Sequence, residues 1–173
     1  MNITIVGATG NVGRKIIKVL EKKNFPADNL YLVASSKSAG SKLRFKEKEI
    51  EVENLETFDF SKSKITFFSA GSKISEKYAT KAAEHSTVID NSSYFRMDPN
   101  VPLIVPEVNP KDLKDYKKKN IIANANCSVI PLVVALKPLH DLYNIKRIVA
   151  STYQSVSGAG KAPMDELLSQ TKD

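Results

Sequence analysis

The chain is poor in the side chains that most often carry nucleophilic and acid–base chemistry: 173 residues hold one cysteine and two histidines. A single thiol excludes an internal disulfide framework and any cysteine-rich metal site. No apolar run approaches the roughly 20 residues needed to span a bilayer. The opening MNITIVGATG lacks the basic and apolar regions of a secretory signal, because a glycine-rich turn interrupts it at once. These absences predict a cytoplasmic protein with no membrane partner. An arginine-rich arm with interleaved aromatics, a helix-turn-helix pattern and zinc-ligand spacing are missing too. The formal charge of +7, from 26 basic and 19 acidic residues, therefore reads as a lysine-rich solvated surface and predicts no nucleic-acid partner.

What is present is an alternation. Hydrophobic residues make up 42% and charged residues 26% of the chain, an ordinary balance for a globular protein, and the length suits one core or one domain and part of a second. Short β-branched runs alternate with amphipathic stretches, the pattern of an α/β protein with a parallel sheet. Strands are predicted over 3–6, 30–34, 65–68, 87–90, 103–105 and 121–123, a charged edge hairpin over 43–45 and 50–52, and a long strand over 145–153. Helices are predicted over 12–23, 75–84 and 128–143, with another from 163. In the first helix Val12, Ile16, Val19 and Leu20 are predicted to share the buried face. The rhythm changes near Cys127, which predicts one domain over 1–127 and the start of another over 128–173.

The first strand runs straight into Gly7-Ala8-Thr9-Gly10-Asn11-Val12-Gly13, which opens a helix. Glycine at 7 permits a tight turn, at 10 it lets backbone approach a pyrophosphate, and at 13 it lets the helix lie close on the strand. Free N–H groups at the helix start then meet the anion. In this setting a dinucleotide site is a better reading than a plain tight turn. The end of the second strand, Ala34-Ser35-Ser36-Lys37-Ser38, offers hydroxyls and a cation where an NAD site usually places a carboxylate. That predicts NADP as the cofactor, its 2′-phosphate held near Ser35, Lys37 and Ser38.

The thiol stands in Asn124-Ala125-Asn126-Cys127-Ser128, where a predicted strand gives way to a predicted helix; Pro131 supports a helix start near Ser128. A helix N-terminus favours a thiolate, and its free N–H groups can hold the oxyanion formed when sulfur attacks a carbonyl. A lone cysteine is otherwise often a small buried hydrophobe, and composition alone leaves both readings open.

Taken together, GATGNVG, FFSAG (67–71), VIDNSSYFR (88–96), VPLIVPEVNP (101–110), NANCS (124–128) and STYQSVSGAGK (151–161) occur in an order and at distances that resemble the aspartate-semialdehyde dehydrogenases over essentially the whole chain. The resemblance implies a Rossmann-type NADP-binding domain followed by the beginning of an α+β catalytic and dimerisation domain. It implies a phosphorylating aldehyde dehydrogenase that reduces aspartyl phosphate to aspartate semialdehyde on the way to lysine, methionine and threonine, as a homodimer or homotetramer. By position it makes Cys127 the nucleophile of an acyl-thioester and Gln154 the residue that orients substrate at the thiol. Arg96 and Asn126 become the grip on the phosphate group. Gly7, Thr9, Gly10, Asn11, Val12, Gly13, Ser35, Lys37, Ser38, Ser69, Ala70 and Gly71 become cofactor contacts, and Ser157 and Gly158 the lining of the nicotinamide site.

Two positions depart from the family pattern N-P-N-C-S-T, where Ala125 replaces proline and Val129 replaces threonine, and beyond it Pro131 stands where glutamine is common. The first change should loosen the loop that carries Asn126 and Cys127. The proton chemistry of a thioester also needs a base, most often a histidine. His85 ends a surface helix, and His140 falls three turns into the helix that Cys127 begins, roughly 18 Å along its axis. The resemblance places the family's base histidine and a substrate arginine downstream of the STYQ segment, which predicts that this chain is the N-terminal part of a longer enzyme and inactive alone. Alternatives are an N-acetyl-glutamyl-phosphate reductase, whose cysteine context differs, and a non-catalytic NADP-binding module.

Overall fold

The computed structural model describes residues 1–172. At its centre lies β1 (Ile3–Val6), flanked by β2 (Leu30–Ala34) and β5 (Ile65–Phe68) in parallel register, with Ile3 opposite both Leu30 and Ile65. A parallel strand covered on both faces must be apolar on both, and Ile3, Ile5 and Val6 are fully buried. Adding β3 (Lys42–Phe45), β4 (Lys48–Asn54), β6 (Thr87–Asp90), β7 (Leu103–Ile104) and β8 (Ile121–Asn124) gives the order β3-β4-β2-β1-β5-β6-β8-β7. Every pairing is parallel except the β3–β4 hairpin, whose alternating charges occupy the sheet edge.

Two apolar clusters pack this sheet. One gathers Ile5, Ile17, Leu20 and Leu32 beneath α1 (Asn11–Lys22), and the other gathers Phe68, Ala79, Ala82, Val88 and Ile121 beneath α2 (Ser72–Ala83). The buried stripe of α1 is Gly13, Ile17 and Leu20; Val12 and Val19, predicted to face the core, are each 44% exposed. The cause is Gly13. A Cβ there would overlap the Gly7 carbonyl oxygen and lie 2.7 Å from Ala8 Cα, so the helix rotates to place its glycine on the turn, and positions four and seven residues later follow it inward.

Further along, α2 begins at Ser72, three residues before the predicted start, because Gly71 at φ +89° turns the chain into it. The next helix, α3 (Val129–Tyr143), and α4 (Lys161–Gln170) occupy their predicted places, but residues 145–153 form no strand. That stretch has strand-forming side chains and no ladder partner among the described residues; Val149 is 80% exposed and Tyr153 wholly so. The buried hydrophobic core ends at Ala125, and neither α3 nor α4 buries a residue. Asp173 lies outside the described residues.

Candidate active site

Three helices begin on glycine around one space. Gly10, Gly71 and Gly160 are the N-caps of α1, α2 and α4, and none of these helices has a side-chain cap. All three glycines line a cleft of about 540 Å³. Each helix start leaves backbone N–H groups without intrahelical partners and a partial positive charge, so the cleft is suited to a polyanion. Its walls also include Gly7, Thr9, Asn11 and Val12 from the first turn, Ser35 after β2, and Ser69 and Ala70 after β5. The turn is pinned on both sides: Gly7 N–H donates to the Val33 carbonyl at 2.8 Å, and the Ser69 hydroxyl donates to the Val6 carbonyl at 3.0 Å.

Most of the residues expected to hold a nucleotide therefore share one cleft, including Ser157 and Gly158 from the 3-10 turn Val156–Ala159. Three do not line it. Gly13 serves the helix–strand contact described above, while Lys37 and Ser38 sit further round the turn after β2, with Lys37 exposed. The sequence reading missed Lys161, which joins the wall at the start of α4 and pairs with Asp165 at 2.6 Å. Its signal was present in Gly158-Ala159-Gly160-Lys161, a glycine-rich helix start ending in a cation.

The thiol is set by Asn126. The Asn126 side-chain oxygen accepts the Ser128 N–H at 2.9 Å, and its backbone carbonyl accepts the N–H groups of Val129 and Ile130, both at 3.0 Å. One asparagine thus occupies the donors of the first turn of α3, and the expectation that these N–H groups cradle an oxyanion is corrected accordingly. The Cys127 N–H is left without a protein partner among the described residues. Exposed Cys127 Sγ lies 3.8 Å from Gln154 Oε1 and 3.9 Å from Asn126 Oδ1. Two candidates 27 positions apart in the chain are in contact.

Arg96 is held close by. Its Nε donates to the Asn124 carbonyl at 2.9 Å and an Nη to the Asn91 carbonyl at 3.3 Å, which leaves other guanidinium donors for an anion. The turn that carries Arg96 is folded around fully buried Asp90, whose carboxylate accepts from the Ser75 hydroxyl, the Ser92 N–H and the Ser92 hydroxyl at 2.8 to 2.9 Å. Sequence reasoning passed over Asp90 because the Ser75 hydroxyl that completes its set of partners comes from α2. Neither His85, exposed after α2, nor His140, exposed on α3, bonds to Cys127. No group of three or more His, Cys, Asp or Glu is placed to hold a metal among the described residues, and no helix there is long and apolar enough to cross a membrane.

Known proteins resemble this chain in sequence and in fold. Residues 2–116 match the model of the semialdehyde dehydrogenase NAD-binding domain, and residues 136–173 match that of the semialdehyde dehydrogenase dimerisation domain. The chain is 55% identical to the aspartate-semialdehyde dehydrogenase of Rickettsia conorii over 99% of its own length and 51% of the relative's. It is 56% identical to that of Aquifex aeolicus, with 98% and 51% covered. Among solved structures, aspartate semialdehyde dehydrogenase II of Vibrio cholerae complexed with ASA superposes with a TM-score of 0.96 at 51% identity, over 99% of this chain and 51% of that one. The Candida albicans enzyme with NADP gives 0.67 at 28% identity, over 83% and 48%. The chain spans about half the length of the curated relatives it matches, their N-terminal half. It belongs to the semialdehyde dehydrogenase family.

Proposed function

We propose that this chain is the cofactor-binding and thiol-bearing part of an NADP-dependent aspartate-semialdehyde dehydrogenase of the cytoplasm, assembled as a homodimer or homotetramer. Residues 1–127 form the nucleotide domain, and 128–173 begin the catalytic and dimerisation domain. The observation that carries the reading is the contact of Cys127 with Gln154 at 3.8 Å, on a segment that continues directly into the wall of the nucleotide cleft.

The Cys127 thiolate attacks the carbonyl carbon of aspartyl phosphate; the C–S bond forms, the C–O bond to phosphate breaks, and phosphate leaves with the electron pair. Arg96, anchored on Asn91 and Asn124, and the amide NH2 of Asn126 hold the phosphate group. The Cys127 N–H stabilises the oxyanion, and Gln154 orients the substrate chain. NADPH, when bound, supplies hydride to the thioester carbon. Collapse of the resulting adduct on Cys127 breaks the C–S bond, releases aspartate semialdehyde and returns the thiolate. The base that manages the thiol proton is assigned to the half that the longer relatives carry beyond this region.

The cleft fits a dinucleotide: three uncapped helix starts meet its phosphates, and the end of β2 offers Ser35 and nearby Lys37 in place of a carboxylate. The Candida albicans relative solved with NADP supports the same choice.

The test is phosphate-dependent NADPH formation by the full-length protein, with aspartate semialdehyde and N-acetyl-glutamate semialdehyde compared. Turnover with the first, lowered at least about a thousandfold by Cys127→Ala, is the expected result. Preference for the second would make the protein a glutamyl-phosphate reductase. Nucleotide binding without turnover on either would make it a binding module.

A further inference from the structure

Gly158 has two neighbours with different business. Through the turn Val156–Ala159 it lines the nucleotide cleft. A Cβ at this position would overlap Gln154 Nε2 and lie 2.7 Å from Gln154 Cδ and 3.1 Å from Cγ, and these are its three nearest heavy atoms. The side of Gly158 that would bear a side chain is therefore turned on Gln154 and on nothing closer.

Backbone conformation gives no reason for glycine here. Gly160, two residues on, has φ +103° and open space around its missing Cβ, whereas Gly158 lies outside the left-handed region. At 160 glycine serves the backbone. At 158 its absence of a side chain makes room for one amide. That amide is the group whose Oε1 lies 3.8 Å from Cys127 Sγ.

We propose that Gly158 is a positioning residue for the reaction: it forms the back wall against which the Gln154 amide rests while it faces the thiol. Because the same residue borders the nucleotide cleft, one turn of backbone sets the spacing between the thiol and the cofactor. The proposal rests on Gln154 orienting substrate at Cys127. Its consequence is unusual for a glycine in such close contact. The clashing atoms are the far end of a flexible side chain, so alanine is accommodated by swinging the amide away from the thiol, and the damage falls on chemistry rather than on folding.

Gly158→Ala, Gln154→Ala and the double variant, made in the full-length protein, test this. Gly158→Ala should keep its melting temperature and its NADP affinity, lower kcat by about ten- to a hundredfold, as ångström-scale displacement of an orienting group does, and leave KM within about twofold. The double variant should be no slower than Gln154→Ala alone, because the glycine acts through the glutamine. The rate of Cys127 alkylation by iodoacetamide, read with no substrate present, should change equally in the two single variants and not further in the double one.

Multiplicative losses of kcat, a lowered NADP affinity, or a fall in melting temperature with Gly158→Ala would each overturn the proposal. If wild-type protein turns over and Gln154→Ala is harmless, it is the reading of Gln154 that fails instead.

Discussion

Lys37 is exposed on the turn after β2 and stands outside the cleft wall, while Ser35 on the same turn lines it. An NADP 2′-phosphate at the cleft mouth would meet that ammonium through solvent, where a single charge pair contributes about 1 kcal/mol, or roughly fivefold in affinity. Lys37→Ala should therefore weaken NADP binding about fivefold and leave NAD binding unchanged by titration calorimetry; equal weakening of both would remove Lys37 from cofactor choice. At this scale the chain is readable wherever a residue's role is local. The cleft contacts Gly7, Thr9, Gly10 and Asn11 follow one another in a single turn, and their spacing announces it. Asp90 and Lys161 were passed over because what matters about them is assembled from a distance. The bonding of Asp90 is complete only when Ser75 reaches it from α2, and Lys161 joins the cleft only when α4 lies beside the first turn, with Asn11 Nδ2 3.3 Å from Met164 Sδ.

Elements carry the next layer. Strands of the central sheet declare themselves because parallel strands buried on both faces must be continuously apolar, as Ile3–Val6 and Ile65–Phe68 nearly are. The rotation of α1 was misjudged for a physical reason: hydrophobicity favoured Val12 and Val19, yet the tightest packing surface is the one with no side chain. Gly13→Ala tests this. The added Cβ would meet backbone atoms that have nowhere to go, so the substitution should cost about 2 kcal/mol in denaturant unfolding and displace the helix start that borders the cleft; an unchanged midpoint would show that α1 can slide. The stretch 145–153 illustrates the opposite limit. Its β-branched residues record a tendency to pair, but pairing is a property of two strands, and its partner is not among the described residues.

In the molecule as a whole, both core clusters draw only on residues up to Ala123. The segment beyond it is of another kind. Helix α3 is apolar around much of its surface without burying a residue, and Leu142 and Tyr143 are 75% and 76% exposed. The thiol lies where these two regimes meet, between the end of β8 and the start of α3, and Gln154 returns from the second regime to touch it. On the mechanism we propose, this junction holds an acyl group on sulfur in mid-reaction. Aspartate semialdehyde and NADP, mixed with the full-length protein in the absence of phosphate, should leave that group in place. The measurement is the mass of the peptide that contains Cys127, taken from rapidly acid-quenched protein. One aspartyl group on Cys127, absent from Cys127→Ala and discharged by added phosphate, is expected. NADPH formed in full with that peptide unmodified at every quench time would contradict it.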